Sequence, residues 1–212
     1  MTDDDLLAVL RKVARPVACP TGGVGYGLWL NGAPYWHLTG FTVDTAAKGI
    51  VLDASPHVTV DGVEVRNIGD EGVHFRKGSA DGVIRNSFVH DAGQNQPDYG
   101  VVSGNTFNGS GEQNQNSADS AIDAKGDGYR IDGNTVTDPY LDGFQTHTAQ
   151  SPYGCGNTFS GNKFTVTASD GYGINVTNNS KSKCGGSSPN VVHASNTSTG
   201  GKGLTNITVA TP

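Results

Sequence analysis

The 212 residues carry 14 lysines and arginines against 20 aspartates and glutamates, a net charge of −6, with 31 glycines and only 34% hydrophobic residues. That balance excludes a nucleic-acid binder, which needs a basic footprint, and no apolar run reaches the length of a membrane span. Such a composition could signal disorder, but the apolar residues fall on short alternating strands between glycine- and asparagine-rich turns, so an ordered all-β chain is the better reading.

Residues 3–14 (DDDLLAVLRKVA) predict one short amphipathic helix. Its acidic residues sit in the first turn and Arg11 and Lys12 near its end, as the helix dipole favours, and Pro16 stops it. Such a helix would cap the open end of a stack of strands, where a bare edge invites pairing with other chains; a remnant of a longer upstream structure is the alternative. The start MTDDDLLAVL is too acidic for a secretory signal. Residues 1–33 are therefore expected to form the cap and lead-in, and 34–212 a single domain. Tyr35, Trp36 and Phe41 lead into the first turn and read as core or cap packing.

From about residue 34 one pattern recurs: a glycine or serine, then two inward apolar residues separated by an outward one. It runs Gly49–Asp53, Gly72–Arg76, Ser120–Lys125, Gly143–His147 and Gly173–Thr177, with the period-2 alternation of half-buried strands. Stacked in parallel, these strands set their outward residues in two adjacent columns. One holds Val51, His74, Asp123, Gln145 and Asn175; the other holds Asp53, Arg76, Lys125, His147 and Thr177. A second pattern alternates with the first (VTVDGVEV at 58–65, VIRNSFV at 83–89, VVSGNTF at 101–107, YRIDGNTV at 129–136, NTFSGNKF at 157–164, NVVHASNT at 190–197). In each, short strands are joined by a bend at Asp-Gly, Gly-Asn or Asn, residues that tolerate left-handed backbone. Stacked asparagines could form ladders between rungs. The intervals of 23, 49, 22 and 30 residues mark a solenoid. The interval of 49 is expected to span two turns, the middle one poorly marked around Tyr99–Val102.

With these strands and with bends of the kind SGNTF and SGNKF, residues 34–205 resemble right-handed parallel β-helix proteins of the pectate-lyase-like superfamily. The strands G-V-H-F-R, D-A-K-G and D-G-F-Q-T-H are similar to uncharacterised secreted microbial members rather than to one lyase subfamily. The resemblance implies a clear strand where residues 95–101 run, so the chain is expected to lack part of a turn there. It also implies lyases, epimerases or glycoside hydrolases acting on uronic-acid polysaccharides, with the groove on the outer face of this sheet.

β-Elimination on a uronate needs its carboxylate neutralised and a base near C5. Arg76 and His74 are expected to grip the carboxylate, and Lys125 or His147 to take the proton. Asp123, Gln145, Asp53 and Asn175 would contribute to substrate binding, and Asp123 could instead join Asp53 in holding Ca²⁺, though two carboxylates make a weak calcium site. A hydrolase needs two carboxylates about 5–10 Å apart; Asp53 and Asp123, about three rungs apart, fit that poorly. A non-catalytic carbohydrate-binding or structural β-helix stays open. Tyr140 and Tyr153 lie in loops beside the groove, where they could stack on sugar rings or simply pack.

Of three cysteines, Cys155 and Cys184 hold equivalent places in successive turns. Rungs about 4.8 Å apart fall inside the Cα separation a disulfide needs, so the two are expected to be bridged, with Cys19 free or linked elsewhere. A bridge favours an oxidising compartment. The expected protein is a secreted monomer acting on an acidic polysaccharide, with no nucleic-acid or membrane partner. Five Asn-x-Ser/Thr sequons, at Asn108, Asn175, Asn178, Asn196 and Asn206, lean weakly the same way.

Overall fold

Alternation along each strand sends every second side chain inward, and turns of similar length lay the inward residues above one another. The computed structural model describes residues 25–76, 78–90, 100–109, 120–148, 153–184 and 188–211, and the backbone of strands Val9–Leu10 and Gly93–Gln96. Each full turn gives three strands. Lys48–Asp53, Thr59–Asp61 and Glu64–Ile68 form one turn, and Glu71–Arg76 then lies parallel on Lys48–Asp53. Among the described residues this builds three parallel sheets of eight, seven and seven strands. The protein is a right-handed parallel β-helix.

The interior is filled from all three walls. The sheet that carries the polar columns (the groove sheet) contributes Ile50, Leu52, Val73, Phe75, Ile122, Phe144 and Ile174; the second contributes Leu38, Val60, Ile84, Ile131 and Phe159; the third contributes Val65, Val89, Phe107, Val136 and Phe164. Phe144 meets Phe164 edge-on at 4.9 Å and Phe107 at 6.0 Å. Each such side chain contributes about 1.5–3 kcal/mol by leaving water.

Two devices hold the rungs in register. At the corner entering the groove sheet the turns approach too closely for a side chain: a Cβ on Gly49 would lie 2.1 Å from the Gly72 carbonyl oxygen, and one on Gly143 2.5 Å from that of Gly173. At the bend between the other two sheets, Asn105, Asn134, Asn162 and Asn196 form a buried ladder. The amide nitrogens of Asn105, Asn134 and Asn162 each donate to the next side-chain oxygen at 2.8–2.9 Å. Each side-chain oxygen also accepts from a backbone N–H of the preceding rung, as Asn162 does from Asn134 at 3.0 Å.

Three expectations change. The first rung starts before residue 34: Tyr26–Asn31 pairs with Lys48–Asp53, because YGLWLN follows the same alternation. No turn is missing in the middle. Gly93–Gln96 pairs with Glu71–Arg76 on one side, through a bulge, and with Ser120–Ala124 on the other, while Val101–Ser103 belongs to the second sheet. The helix expected over 3–14 lies outside the described residues except at Val9–Leu10, where the backbone instead extends a sheet edge beside His37–Leu38. The described helix is Asn178–Lys183, capped by the Thr177 hydroxyl and too short and polar to leave an apolar period. Cys155 and Cys184 are bridged, with Cα atoms 5.2 Å apart; Cys19 lies outside the described residues.

Asn162→Ala would strand the buried Asn134 N–H, take an acceptor from the Asn134 amide and leave Asn196 Oδ1 with only the Asn162 backbone N–H. It should destabilise the protein by about 2–4 kcal/mol, read from the midpoint of urea unfolding, with no change in the groove.

Candidate functional site

Register alone assembles the outer face of the groove sheet. Trp29, Val51, His74, Asn95, Asp123, Gln145 and Asn175 form one continuous column. Asn31, Asp53 and Arg76 start the adjacent one, and Lys125, His147 and Thr177 follow directly after the paired Ala124, Thr146 and Val176. Within the columns Val51 is fully buried, as are Asp53, Asp123 and Gln145 nearly so, so the floor is closed and the longer side chains stand above it.

Arg76 is the best-fixed cation. Its Nε lies 2.7 Å from Asp53 Oδ1, and its Nη2 donates to Asp53 Oδ2 and to the Tyr26 hydroxyl, both at 3.0 Å. Asp53 also accepts from the Trp29 indole N–H at 2.9 Å. The Asp53 carboxylate first, then Tyr26, holds the guanidinium proton more firmly than usual. Two rungs along, Lys125 Nζ lies 3.1 Å from Asp123 Oδ2, and His147 Nδ1 lies 3.8 Å from the same oxygen. Further back, Lys48 contacts both Glu71 and Asp70, the latter at 2.8 Å.

His74 lies among these groups. Its Nδ1 is 3.1 Å from Glu71 Oε2, which sets Nδ1 as donor and leaves Nε2 as acceptor. Burial first, then the charges of Lys48, Arg76 and Lys125, lowers its pKa from 6.5 to about 4. The imidazole is neutral at physiological pH, so the expected grip of a cationic His74 on a carboxylate is corrected: it can only hydrogen-bond or accept a proton.

Other expected roles also move. Asn175 donates to Asp142 at 2.8 Å and accepts from Asn206 at 2.6 Å, tying the last rungs together. Asp53 and Asp123 stand three rungs apart, roughly 14 Å, each turned to its own cations. They do not converge on a calcium ion, and their separation exceeds the hydrolase range of about 5–10 Å. Tyr35 is not core packing: it is 61% exposed and stacks on His57 at 4.8 Å. Trp36 and Phe41 do pack on the core, and Tyr140 and Tyr153 are exposed.

Sequence reasoning missed Tyr26, Trp29 and Asn95. The first two precede residue 34, ahead of the stretch where the sequence repeat is evident. Asn95 is signalled by Gly93-Gln94-Asn95, which parallels Gly72-Val73-His74 and Gly143-Phe144-Gln145, but Gln94 and Gln96 break the apolar alternation.

The described architecture is that of a β-helix family, and the comparisons agree. The model described as "Right handed beta helix region" matches residues 26–204, so the chain belongs to that family. The structure is also similar to a crystal structure of an alginate lyase from Paenibacillus sp. str. FPU-7, with a TM-score of 0.62 and 25% sequence identity over 95% of this chain and 80% of that one. Comparison with curated proteins gives no match. The likeness supports a polysaccharide-lyase-like β-helix.

Between about pH 6.5 and 4 the unfolded chain protonates this histidine while the folded protein does not. Native stability should therefore fall as pH drops through that window, by about 3 kcal/mol from this group. Urea unfolding at several pH values should show His74→Gln lacking that part of the fall.

Proposed function

We propose that the protein cleaves a uronic-acid polysaccharide, of which alginate is the first to test, by β-elimination on the groove sheet. The observation that carries this reading is a neutral imidazole at His74 within electrostatic reach of Lys48, Arg76 and Lys125. Elimination at C5 of a uronate asks for that combination: an unprotonated acceptor, and fixed positive charge where the carboxylate becomes enolate-like.

In this reading the Arg76 guanidinium, aimed by Asp53 and Tyr26, meets the substrate carboxylate. His74 Nε2 takes the C5 proton. The C4–O4 bond breaks, a C4=C5 double bond forms, and the Lys125 ammonium returns a proton to the departing oxygen. An acceptor with a pKa of about 4 is a weak base in the free protein. Burial lowers it most and the cations next, and a bound carboxylate offsets the share due to the cations. His147, three rungs from Arg76 and roughly 14 Å away along the stack, binds a neighbouring sugar together with Gln145. The likeness to an alginate lyase supports the substrate class, and the Cys155–Cys184 bridge supports an extracellular location. Among the described residues no helix is long and apolar enough to cross a membrane.

A second reading, a carbohydrate-binding module without turnover, is favoured by one feature: Arg76, Lys125 and Lys48 each already contact a carboxylate. The two are separated by incubating the protein with alginate, polygalacturonate and other uronate polymers and following the absorbance of unsaturated products. Turnover is expected, with kcat/KM reduced about 100- to 10,000-fold in His74→Ala and strongly in Lys125→Met. Folded protein that binds these polymers and yields no unsaturated product would leave only the binding module.

A further inference from the structure

The first rung carries a feature that the reaction above does not use. Trp29 is 51% exposed and Tyr26 37% exposed, although both sit on a regular strand. Neither ring is loose. The Trp29 indole N–H donates to the almost fully buried Asp53 carboxylate at 2.9 Å, so the ring cannot turn without breaking a bond to a buried charge. The Tyr26 hydroxyl accepts from Arg76 at 3.0 Å, and the guanidinium lies 5.5 Å from the Tyr26 ring centre. The two rings meet edge-on, 5.7 Å apart at 71°. A large aromatic left half in water is unfavourable unless something else covers it. Its polar edge is already satisfied from below, which leaves the apolar face to the ligand.

Trp29 stands in the same column as His74, two rungs away, roughly 10 Å along the groove. A pyranose unit spans about one rung, so a chain lying along the column would set one sugar over Trp29 and another, two units on, over His74. The C–H face of a sugar packs on an indole as other apolar surfaces do, while its carboxylate faces the positive end of the same cluster.

We infer that Tyr26 and Trp29 form a distal sugar-binding subsite that stacks a uronate unit two residues from the reacting one and gives the groove its preference for long chains. The inference rests on the uronate-polymer reading of the groove, but not on turnover. The rings are held by Asp53 and Arg76 on the next two rungs, so the platform is built before ligand arrives, and little entropy is lost in ordering it.

The test uses binding, in the inactive His74→Ala background. The chain has two tryptophans, and Trp36 is packed against the core, so Trp36→Phe leaves Trp29 as the reporter. Uronate oligomers of increasing length are titrated by fluorescence and calorimetry. The Trp29 emission should shift on binding of the longer oligomers, and affinity should rise with length. Trp29→Ala should remove about 10-fold of that gain while dimers, too short to reach from His74 to Trp29, bind as before, and Trp29→Phe should restore part of it. Binding of long oligomers with no change in Trp29 emission, and with Trp29→Ala indistinguishable from its parent, overturns the subsite and leaves the lyase reading standing. A Trp29-dependent length effect in a protein whose wild type yields no unsaturated product upholds the subsite and removes the lyase. Failure of every uronate oligomer to bind overturns both.

Discussion

Parallel register between successive turns is the constraint on which this protein depends. Side chains alternate with a period of two, so a slip of one residue in the strand Glu71–Arg76 would bury His74 and Arg76 and expose Val73 and Phe75. The slip is resisted at several places at once. Val73 and Phe75 are sealed in the core, the corner glycines admit no side chain between turns, and the asparagine ladder matches one rung to the next through paired bonds. A missing ladder amide would leave buried backbone N–H groups without partners, each costing about 1–3 kcal/mol. Residues far apart in sequence are thereby held in a row as firmly as neighbours in a helix.

That rigidity explains how charged groups survive in the floor of the groove. Burying a carboxylate such as Asp53 costs several kcal/mol, and a guanidinium and an indole N–H offset it from two directions. The outcome for Arg76 is positional: its cation is fixed before any ligand arrives. Asp123 does the same for Lys125, with His147 alongside. Between them the His74 imidazole is largely withdrawn from water and faces three cations, and its charged form is disfavoured as a result. The carboxylates therefore act at second hand, by fixing where the cations stand.

Much of this was legible in the sequence, because alternation encodes which residues share a face. The columns from His74 to Asn175 and from Asp53 to His147 followed from counting in twos after each glycine, and the cysteine pair from equivalent places in successive turns. The middle rung was illegible for a physical reason: Gln94 and Gln96 occupy register positions beside Val73 and Ala124, so the apolar signal vanishes where the backbone pairing persists. The first rung was passed over because Tyr26 and Trp29 resemble a cap when no preceding repeat defines their face. The charge of His74 could not be read from sequence either. It depends on Lys48, 26 positions earlier, and Lys125, 51 positions later, and only stacking brings those groups together.

The shape of the face also bears on what it binds. A parallel sheet exposed on one side offers a floor and few walls, so no single rung encloses a sugar as a cleft does. Each rung supplies a contact or two, and the loss of translational and rotational freedom on association is met once for the whole ligand. A monosaccharide would gather too few contacts to offset that loss, whereas each further unit of an extended chain adds interactions at little further entropic cost. Among the described side chains, polar and aromatic groups recur along the face from Trp29 to His147, which suits a ligand that repeats at about the same interval as the protein beneath it. Repetition in the fold and repetition in a polymer meet through the one spacing that the stacking of strands imposes.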